Sequence, residues 1–311
     1  MRWAALALLV AFGASLLVGG AGFGVASWPI TWQLRVPRSG LALVIGAGLG
    51  LSGAVLQGAL RNPLADPGLL GVAGAAAVGG VVAFYWGLAA RFAPALPLAG
   101  MTGAALGCAG LLGLAGRQPS GSGLIVGGVA LSALAAALLA LLLALAPNPY
   151  ALAEITTWLM GSLEDRSLVH LALAAPPILA GCAVLLRLGP GLDALGLGEA
   201  TAATLGHPAG RTLRMAALGT ALAVGPGAAV AGGIGFVGLA VPHLLRPWLG
   251  QRPGALLLAS ALLGAAVLLA ADVLARAAPL VLPLNAEPPL GVLTAMLGAP
   301  ILIAASRKAL P

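Results

Sequence analysis

Residues 39–60 read SGLALVIGAGLGLSGAVLQGAL, an apolar run of 22 residues without a charged side chain. A helix needs about 20 such residues to cross the hydrocarbon core of a bilayer. Gly46 and Gly50 lie one helical turn apart within the run, and Gly53 follows them. Small residues at this spacing let helix backbones approach one another closely in a membrane. The run is therefore predicted to be a transmembrane helix surrounded by other helices.

The rest of the chain has the same apolar character. Of its 311 residues, 60% are hydrophobic and 7% are charged, and the mean hydropathy is +1.07. A soluble domain carries about 25% charged residues, and an outer-membrane barrel would show short alternating segments. We therefore expect an all-α polytopic membrane protein that forms a single transmembrane domain over residues 1–311. The net charge of +7 is spread over span ends without a basic stripe, which excludes a nucleic-acid partner.

Ten runs are predicted to span the membrane, and their number places both termini on one side. The runs cover residues 4–24, 39–60, 67–90, 94–115, 122–146, 168–188, 213–231, 234–249, 254–276 and 289–305. The first is interpreted as a retained span rather than as a signal peptide, because no polar mature domain follows it. With the termini in the cytoplasm, ten basic residues lie inside and five outside. This orientation agrees with the positive-inside rule.

A polar interruption separates spans 6 and 7. Residues 193–206 read DALGLGEATAATLG, a short helical segment of small residues with Glu199 in its middle. The only lysine is Lys308, so the chain lacks the Gly-rich loop and lysine with which Walker A proteins bind nucleotide. If the protein moves a cargo across the membrane, it must therefore use an ion gradient or a separate ATPase. A separate ATPase needs a docking element on the cytoplasmic side. The segment at about 190–210 is the candidate.

The turn RNPLADPG after span 2 is predicted to be structural. Asp66 is placed to cap the next helix, with Pro67 at its first position. A substrate-binding role for Asp66 is the less favoured alternative.

The loop between spans 5 and 6 is expected to lie outside the membrane. Its apolar patch at residues 155–163 is too short to span, so a re-entrant or surface-lying helix is expected, with Trp158 at the membrane interface.

Three polar or reactive side-chain types lie within the apolar runs. His243 follows Pro242 in span 8, and a hydrogen-bonded histidine near the cytoplasmic end is favoured over a ligand for an iron or haem cargo. Asp272 is expensive to bury, by about 2.5–3.5 kcal/mol, and pairing with Arg276 four residues later relieves this cost. A proton relay through Asp272 is the alternative. The two cysteines are expected to be buried and unpaired.

Several long motifs in order resemble the permease subunits of the ABC importers that carry vitamin B12, iron–siderophores and haem. They are RVPRSGLALVIGAGLGLSGAVLQGALRNPLADPGLLGVAG (35–74), GGVALSAL (127–134), WLMGSL (158–163), LGLGEATAATLG (195–206), GGIGFVGLAVPHLLR (232–246), LLAADVLAR (268–276) and LGVLTAMLGAP (290–300). The resemblance covers nearly the whole chain. Members of this family are similar in having ten spans, which agrees with the count from the apolar runs.

The resemblance also implies partners. Two permease copies would form a homodimer in the bacterial inner membrane, two ABC ATPase subunits would attach inside, and a periplasmic or lipid-anchored binding protein would deliver cargo outside. ATP and Mg would be bound by the ATPase, so this chain would hold no cofactor and no metal. It would be a transport subunit and not an enzyme, since no residue is expected to be catalytic.

Three sets of residues take on roles through the resemblance. The residues that would couple to the ATPase are Leu197, Glu199, Ala200, Ala203, Leu205 and Gly206. Those that would dock the binding protein are Arg35, Arg38 and Arg276. Those that would serve helix packing or gating are Gly46, Gly50, Gly53 and Pro242. For Arg35 and Arg38, simple anchoring at the interface competes with docking. For Arg276, pairing with Asp272 competes.

The expected function is alternating access that imports a metal chelate. An iron–siderophore is the first expectation for the cargo, and vitamin B12 and haem are the alternatives. A proton-driven secondary transporter that uses Asp272 is the rival from another class, and a membrane scaffold without transport is the second rival.

Overall fold

The computed structural model describes residues 2–19, 22–24, 27–92 and 94–309. The helices are, in chain order, α1 (Arg2–Leu17), α2 (Trp28–Ile30), α3 (Val36–Ala59), α4 (Val72–Tyr85), α5 (Leu88–Arg91), α6 (Ala95–Ala115), α7 (Gly121–Ala144), α8 (Pro149–Leu159), α9 (Leu168–Leu186), α10 (Gly189–Gly196), α11 (Glu199–Thr204), α12 (Ala209–Ala231), α13 (Val237–Leu249), α14 (Pro253–Val281) and α15 (Leu290–Ala309). A π-helical turn joins α2 to α3, and a 3-10 turn precedes α4. Two antiparallel strands of two residues each, β1 (Val18–Gly19) and β2 (Gly22–Phe23), follow α1. The predicted helical class is confirmed.

Six helices of the described chain are long and apolar enough to cross a membrane. They cover Trp28–Ala59, Ala95–Ala115, Gly121–Ala144, Leu168–Leu186, Ala209–Ala231 and Pro253–Val281. Three further predicted spans fall on the shorter apolar helices Leu8–Leu17, Val72–Tyr85 and Leu290–Pro300. The tenth falls on α13, which has 13 residues. A membrane bundle of many helices is thus supported, and the count of ten crossings stays a prediction.

Helices α1 and α4 are clearly shorter than the apolar runs 4–24 and 67–90 that predicted them. The first run extends to residue 24, but α1 ends at Leu17 and the chain enters the β1–β2 ladder. This stretch is rich in glycine, which disfavours helix. The third run begins at residue 67, but α4 begins only at Val72, after a left-handed residue at Gly71 with φ of 72°. Such a backbone conformation suits glycine and interrupts the helix.

Asp66 caps the 3-10 turn before α4, as predicted. Its Oδ1 accepts a hydrogen bond of 2.8 Å from the backbone N–H of Gly68, and Pro67 takes the first position of the turn. Burial raises the pKa of the Asp66 carboxyl, while the hydrogen bond from Gly68 opposes this rise. The carboxylate is therefore engaged by the backbone, which supports the structural interpretation over a substrate role.

Helix α3 lies at the centre of the bundle, with 17 of its 24 residues buried. A Cβ atom added to Gly46 would lie 2.5 Å from the carbonyl oxygen of Gly264 in α14. One added to Gly50 would lie 2.3 Å from the carbonyl oxygen of Ser260. The backbones of α3 and α14 therefore touch along the glycine face, and the prediction that this helix is surrounded by others is confirmed.

The contact between α3 and α13 is closer still. A Cβ atom on Gly53 would lie 1.8 Å from the carbonyl oxygen of Gly238. In an α-helix this carbonyl would accept from the residue four positions later, but that residue is Pro242, which has no N–H. The carbonyl left without its helical donor thus faces the glycine of the neighbouring helix.

The short helix expected over residues 155–163 is α8, which begins earlier, at Pro149, and ends at Leu159. Asn148 caps it. Trp158 is only 8% exposed. Its indole ring packs against Gly80, where an added Cβ atom would lie 2.7 Å from the ring. The interpretation of Trp158 as an interfacial residue was wrong, because Gly80 in α4 leaves room for the indole inside the bundle. After α8 the chain is anchored by Ser162 N–H to Ala231 O, at 2.8 Å.

Candidate functional site

Helices α10 and α11 form a hairpin at one end of the bundle. Gly198, with φ of 112°, makes the turn between them in a conformation that favours glycine. Ala194, Leu195 and Ala202 form the buried centre of the hairpin, and Ala209 packs against them. Because alanines surround Leu195 at this centre, the two short helices lie close together.

All six residues predicted to couple to an ATPase are exposed on this hairpin. They are Leu197, Glu199, Ala200, Ala203, Leu205 and Gly206. The two leucines are 68% and 57% exposed. Exposed apolar side chains that lie together on a projecting element are a typical contact surface for a partner protein. The structure thus brings the predicted coupling residues together on one accessible surface.

Glu199 has one ion-pair partner among the described residues, and the contact is loose. Its Oε1 lies 3.9 Å from Nη2 of Arg61, and both side chains are largely exposed. Exposed pairs of this kind contribute about 0–1 kcal/mol. Glu199 therefore stays accessible to a basic group on another protein.

Asp193, in the second turn of α10, makes much firmer contacts. Its Oδ2 accepts a hydrogen bond of 2.8 Å from Arg252 Nε. Its Oδ1 accepts one of 2.8 Å from the backbone N–H of Gly254, in the first turn of α14. Sequence reasoning assigned Asp193 no role, since its partners lie 59 and 61 residues further along the chain.

A cluster of four charged residues lies near the other end of α14. Asp272, which is fully buried, accepts from Arg38 Nε at Oδ1 and from Arg276 Nη2 at Oδ2, both at 2.7 Å. The predicted pairing of Asp272 with Arg276 is confirmed. Arg38 also binds Glu287, with its Nη2 at 2.5 Å from Oε2 and its Nη1 at 3.3 Å from Oε1. The two arginines and two carboxylates of this arginine–carboxylate cluster balance in charge.

Glu287 was not singled out from the sequence. It is the one charged residue of the segment at 282–289 between α14 and α15, and no local pattern marks it as a partner of Arg38. The Arg38 and Glu287 side chains are partly accessible, whereas Asp272 and Arg276 are enclosed.

The three predicted docking arginines differ in their surroundings. Arg276 is 2% exposed and donates to the carbonyl oxygens of Ser15 and Val18 at 2.8 and 2.7 Å. Arg35 is partly exposed and donates to carbonyl oxygens at the end of α1 and at Gly24. Docking by these residues stays a prediction, and Arg38 and Arg35 have the more accessible guanidinium groups.

His243 is hydrogen-bonded, as favoured from the sequence. Its Nε2 donates to the carbonyl oxygen of Pro63 at 2.9 Å, and Arg246 Nη1 lies 3.4 Å from its Nδ1. Arg246 also donates to Gln57 Oε1 at 2.7 Å, so the network ties α13 to α3. Within the described residues, no group of three His, Cys, Asp or Glu side chains could hold a metal ion, and Cys108 and Cys182 are buried free thiols.

Comparison with known proteins places this architecture among transporters. The chain matches the FecCD transport family over residues 2–308. It is 38% identical over 274 residues, 88% of its length and 80% of the relative's, to the vitamin B12 import system permease protein BtuC of Klebsiella pneumoniae subsp. pneumoniae. The protein of the same name from Salmonella typhi is also 38% identical over 274 residues, with 88% and 82% of the two chains covered.

One solved structure matches almost end to end. It is titled an inward-facing conformation of a putative metal-chelate type ABC transporter. The TM-score is 0.87 at 32% sequence identity, and the match covers 99% of this chain and 98% of the other. The helical arrangement described above is therefore shared with a transporter subunit over its full length.

Proposed function

Since the chain belongs to the FecCD transport family of ABC importer permeases, we propose that it works as one of two identical permeases in an ATP-driven importer. Permeases of this family are transport components and not catalysts. The proposed complex lies in the bacterial inner membrane, with ten crossings and both termini in the cytoplasm. Two ATPase subunits bind the ATP and Mg, and this chain binds no cofactor.

The α10–α11 hairpin is the proposed docking element for the ATPase, and it is the observation that carries the proposal. It presents exposed Leu197 and Leu205 beside an accessible Glu199. A leucine can enter an apolar cleft of a partner, and a carboxylate at the start of α11 can meet a basic group there. Closure of the two ATPases would then move the hairpin and tilt the helices next to it, giving alternating access.

The opposite face is the proposed docking surface for a periplasmic or lipid-anchored binding protein. The arginine–carboxylate cluster lies there, with Arg38 as its partly exposed cation, and Arg35 lies outside the cluster on the same helical segment. Arg276 acts indirectly in this proposal, because it fixes Asp272, which in turn holds Arg38. Charge pairs at such a surface mainly orient the partner and raise its encounter rate.

A metal chelate is the proposed cargo. Vitamin B12 is favoured as the cargo, because the similar permeases are named for vitamin B12 import. The similar solved structure is described as a metal-chelate type transporter, and vitamin B12 is a metal chelate. An iron–siderophore and haem are the other members of that class to be tested.

Proton coupling through Asp272 is disfavoured by its contacts. Both carboxylate oxygens accept from guanidinium groups at 2.7 Å. Taking up a proton would break one of these ion pairs inside the protein, where separating opposite charges is costly.

Uptake and ATP hydrolysis in proteoliposomes test the proposal. The permease is reconstituted with its cognate ATPase and binding protein, and cyanocobalamin, a ferric siderophore and haemin are offered in turn. Glu199→Lys is expected to abolish the stimulation of ATP hydrolysis and uptake. Glu154→Lys, an exposed charge reversal on α8, is expected to change neither. Normal coupling in Glu199→Lys would refute the docking role, and uptake without ATP that a protonophore stops would favour the secondary transporter.

A further inference from the structure

We propose that Asp193 is the positioning residue that fastens the α10–α11 hairpin to α14, so that α14 carries the motion of the hairpin to the arginine–carboxylate cluster. This inference rests on the proposed role of the hairpin in ATPase docking. It assigns a function to a contact that neither the sequence motifs nor the family resemblance marked.

The contact is directional and tight. The Asp193 carboxylate accepts one of the N–H groups that have no partner within the first turn of a helix. The positive end of the α14 dipole further favours a negative charge at this position. A Cβ atom on Gly254 would lie 2.8 Å from Asp193 Oδ2, so a larger residue at this position would displace the carboxylate. The Arg252 side chain is 76% exposed and is the weaker arm of the contact.

Apolar packing also joins the hairpin to α14, since Leu192 of α10 is fully buried in the same core as Leu256 and Leu257 of α14. A cavity of about 1050 Å³ lies between the hairpin and α14, lined by Asp193, Leu197, Leu205, His207 and Arg252, among others. A Cβ atom added to Gly189 would lie 3.7 Å from Leu257 Cδ1, so the backbone of α10 lies close to α14 here. Among these contacts, the two hydrogen bonds of 2.8 Å that Asp193 accepts are the directional ones.

Helix α14 is built to act as a rod. It runs for 29 residues, and no proline interrupts it between residues 254 and 276. At a rise of 1.5 Å for each residue, the 22 steps from Gly254 to Arg276 span about 33 Å. Its middle lies against α3 with backbone in direct contact at Gly264 and Ser260. A displacement at one end therefore reaches the other without a hinge.

At the far end, α14 holds two other elements. Asp272 binds Arg38 of α3, and Arg276 binds the carbonyl oxygens of Ser15 and Val18 at the end of α1. Motion of α14 would therefore be passed to the surface proposed to receive the binding protein. In the reverse direction, docking at that surface would be sensed at the hairpin, as linkage between two sites requires.

The test measures the distance between the hairpin and the far end of α14 in the assembled importer. Spin labels are placed at Gly196→Cys, where an added side chain meets nothing within 4 Å, and at Val281→Cys, which is exposed. The buried Cys108 and Cys182 are replaced by alanine. Labelled chains are diluted into unlabelled ones, and the distance is recorded with and without ATP.

In the otherwise native chain this distance is expected to stay constant when ATP binds, because the hairpin and α14 move together. In Asp193→Ala the distance is expected to change, and the cargo imported per ATP hydrolysed should fall by about fivefold or more, the lower range of coupling energies. Asp193→Asn, which keeps an acceptor for Gly254, should recover part of the ratio. Arg252→Gln should behave as the native chain.

Each other outcome contradicts either the role of Asp193 or the proposed function of the hairpin. An unchanged distance and ratio in Asp193→Ala, with the ATPase still bound, would show that the link carries no motion. Loss of ATPase binding in Asp193→Ala would reduce the residue to a structural role for the hairpin. If the native chain itself does not bind the ATPase, the proposed function fails, which is a distinct result.

Discussion

Replacing Asp272 by asparagine should destabilise the protein strongly. The side chain is fully buried and neutralises Arg38 and Arg276 through two contacts of 2.7 Å. Asparagine has nearly the same shape but no charge, so the four-residue cluster would change from a net charge of zero to +1. Removing one partner from a buried pair costs about 3–5 kcal/mol. Since the asparagine oxygen still accepts one hydrogen bond, we expect a loss of about 3 kcal/mol in the free energy of unfolding.

Denaturant and thermal unfolding of the purified permease, followed by tryptophan fluorescence, would measure this loss. The double variant Asp272→Asn/Arg38→Gln restores a net charge of zero and is the matched control. It should be more stable than the single variant, and the double-mutant cycle gives the coupling between the two sites.

Two results would refute this reasoning. Wild-type stability of Asp272→Asn would show that the buried cluster does not stabilise the fold through its charge. Wild-type stability together with loss of protonophore-sensitive uptake would instead support a proton relay.

Three further predictions concern contacts away from Asp272. Gly53→Ala should lower the free energy of unfolding by about 1–3 kcal/mol, because its Cβ would meet a backbone oxygen. Gly110→Ala, with no neighbour within 4 Å, should be tolerated in the same assay. Equal stability of the two variants would contradict the packing described. Glu287→Gln should speed the modification of Arg38 by phenylglyoxal, measured by mass spectrometry, and an unchanged rate would mean that Glu287 does not shield it. His243→Ala should cost about 1 kcal/mol of stability and leave the KM for cargo unchanged, so a raised KM would point to a cargo contact.

Local patterns were sufficient to predict the central helix and the polar interruption at 193–206, whereas the six exposed residues of the hairpin were assigned through the family resemblance. Glycine spacing in residues 39–60 reports helix contact directly, and small polar residues in an apolar chain mark a segment outside lipid. The cap by Asp66 was equally readable, because its partner is two residues away.

Long-range partners were beyond prediction. The Glu287 carboxylate meets an arginine 249 residues away in sequence, and Asp193 meets a backbone N–H 61 residues away. Neither residue belongs to a periodic pattern, so its role depends on tertiary packing alone. Trp158 was placed wrongly for the same reason, since the space it fills is created by Gly80 in another helix.

The contacts of Arg276 impose an order on the biogenesis of the protein. The carbonyl oxygens of Ser15 and Val18 bind a guanidinium that is synthesised 261 and 258 residues later. At about 5–20 residues per second, roughly 13 to 52 s separate the emergence of the two ends from the ribosome. During that interval the end of α1 lacks its final hydrogen-bond donors, and so α1 completes its native contacts only after α14 has been synthesised.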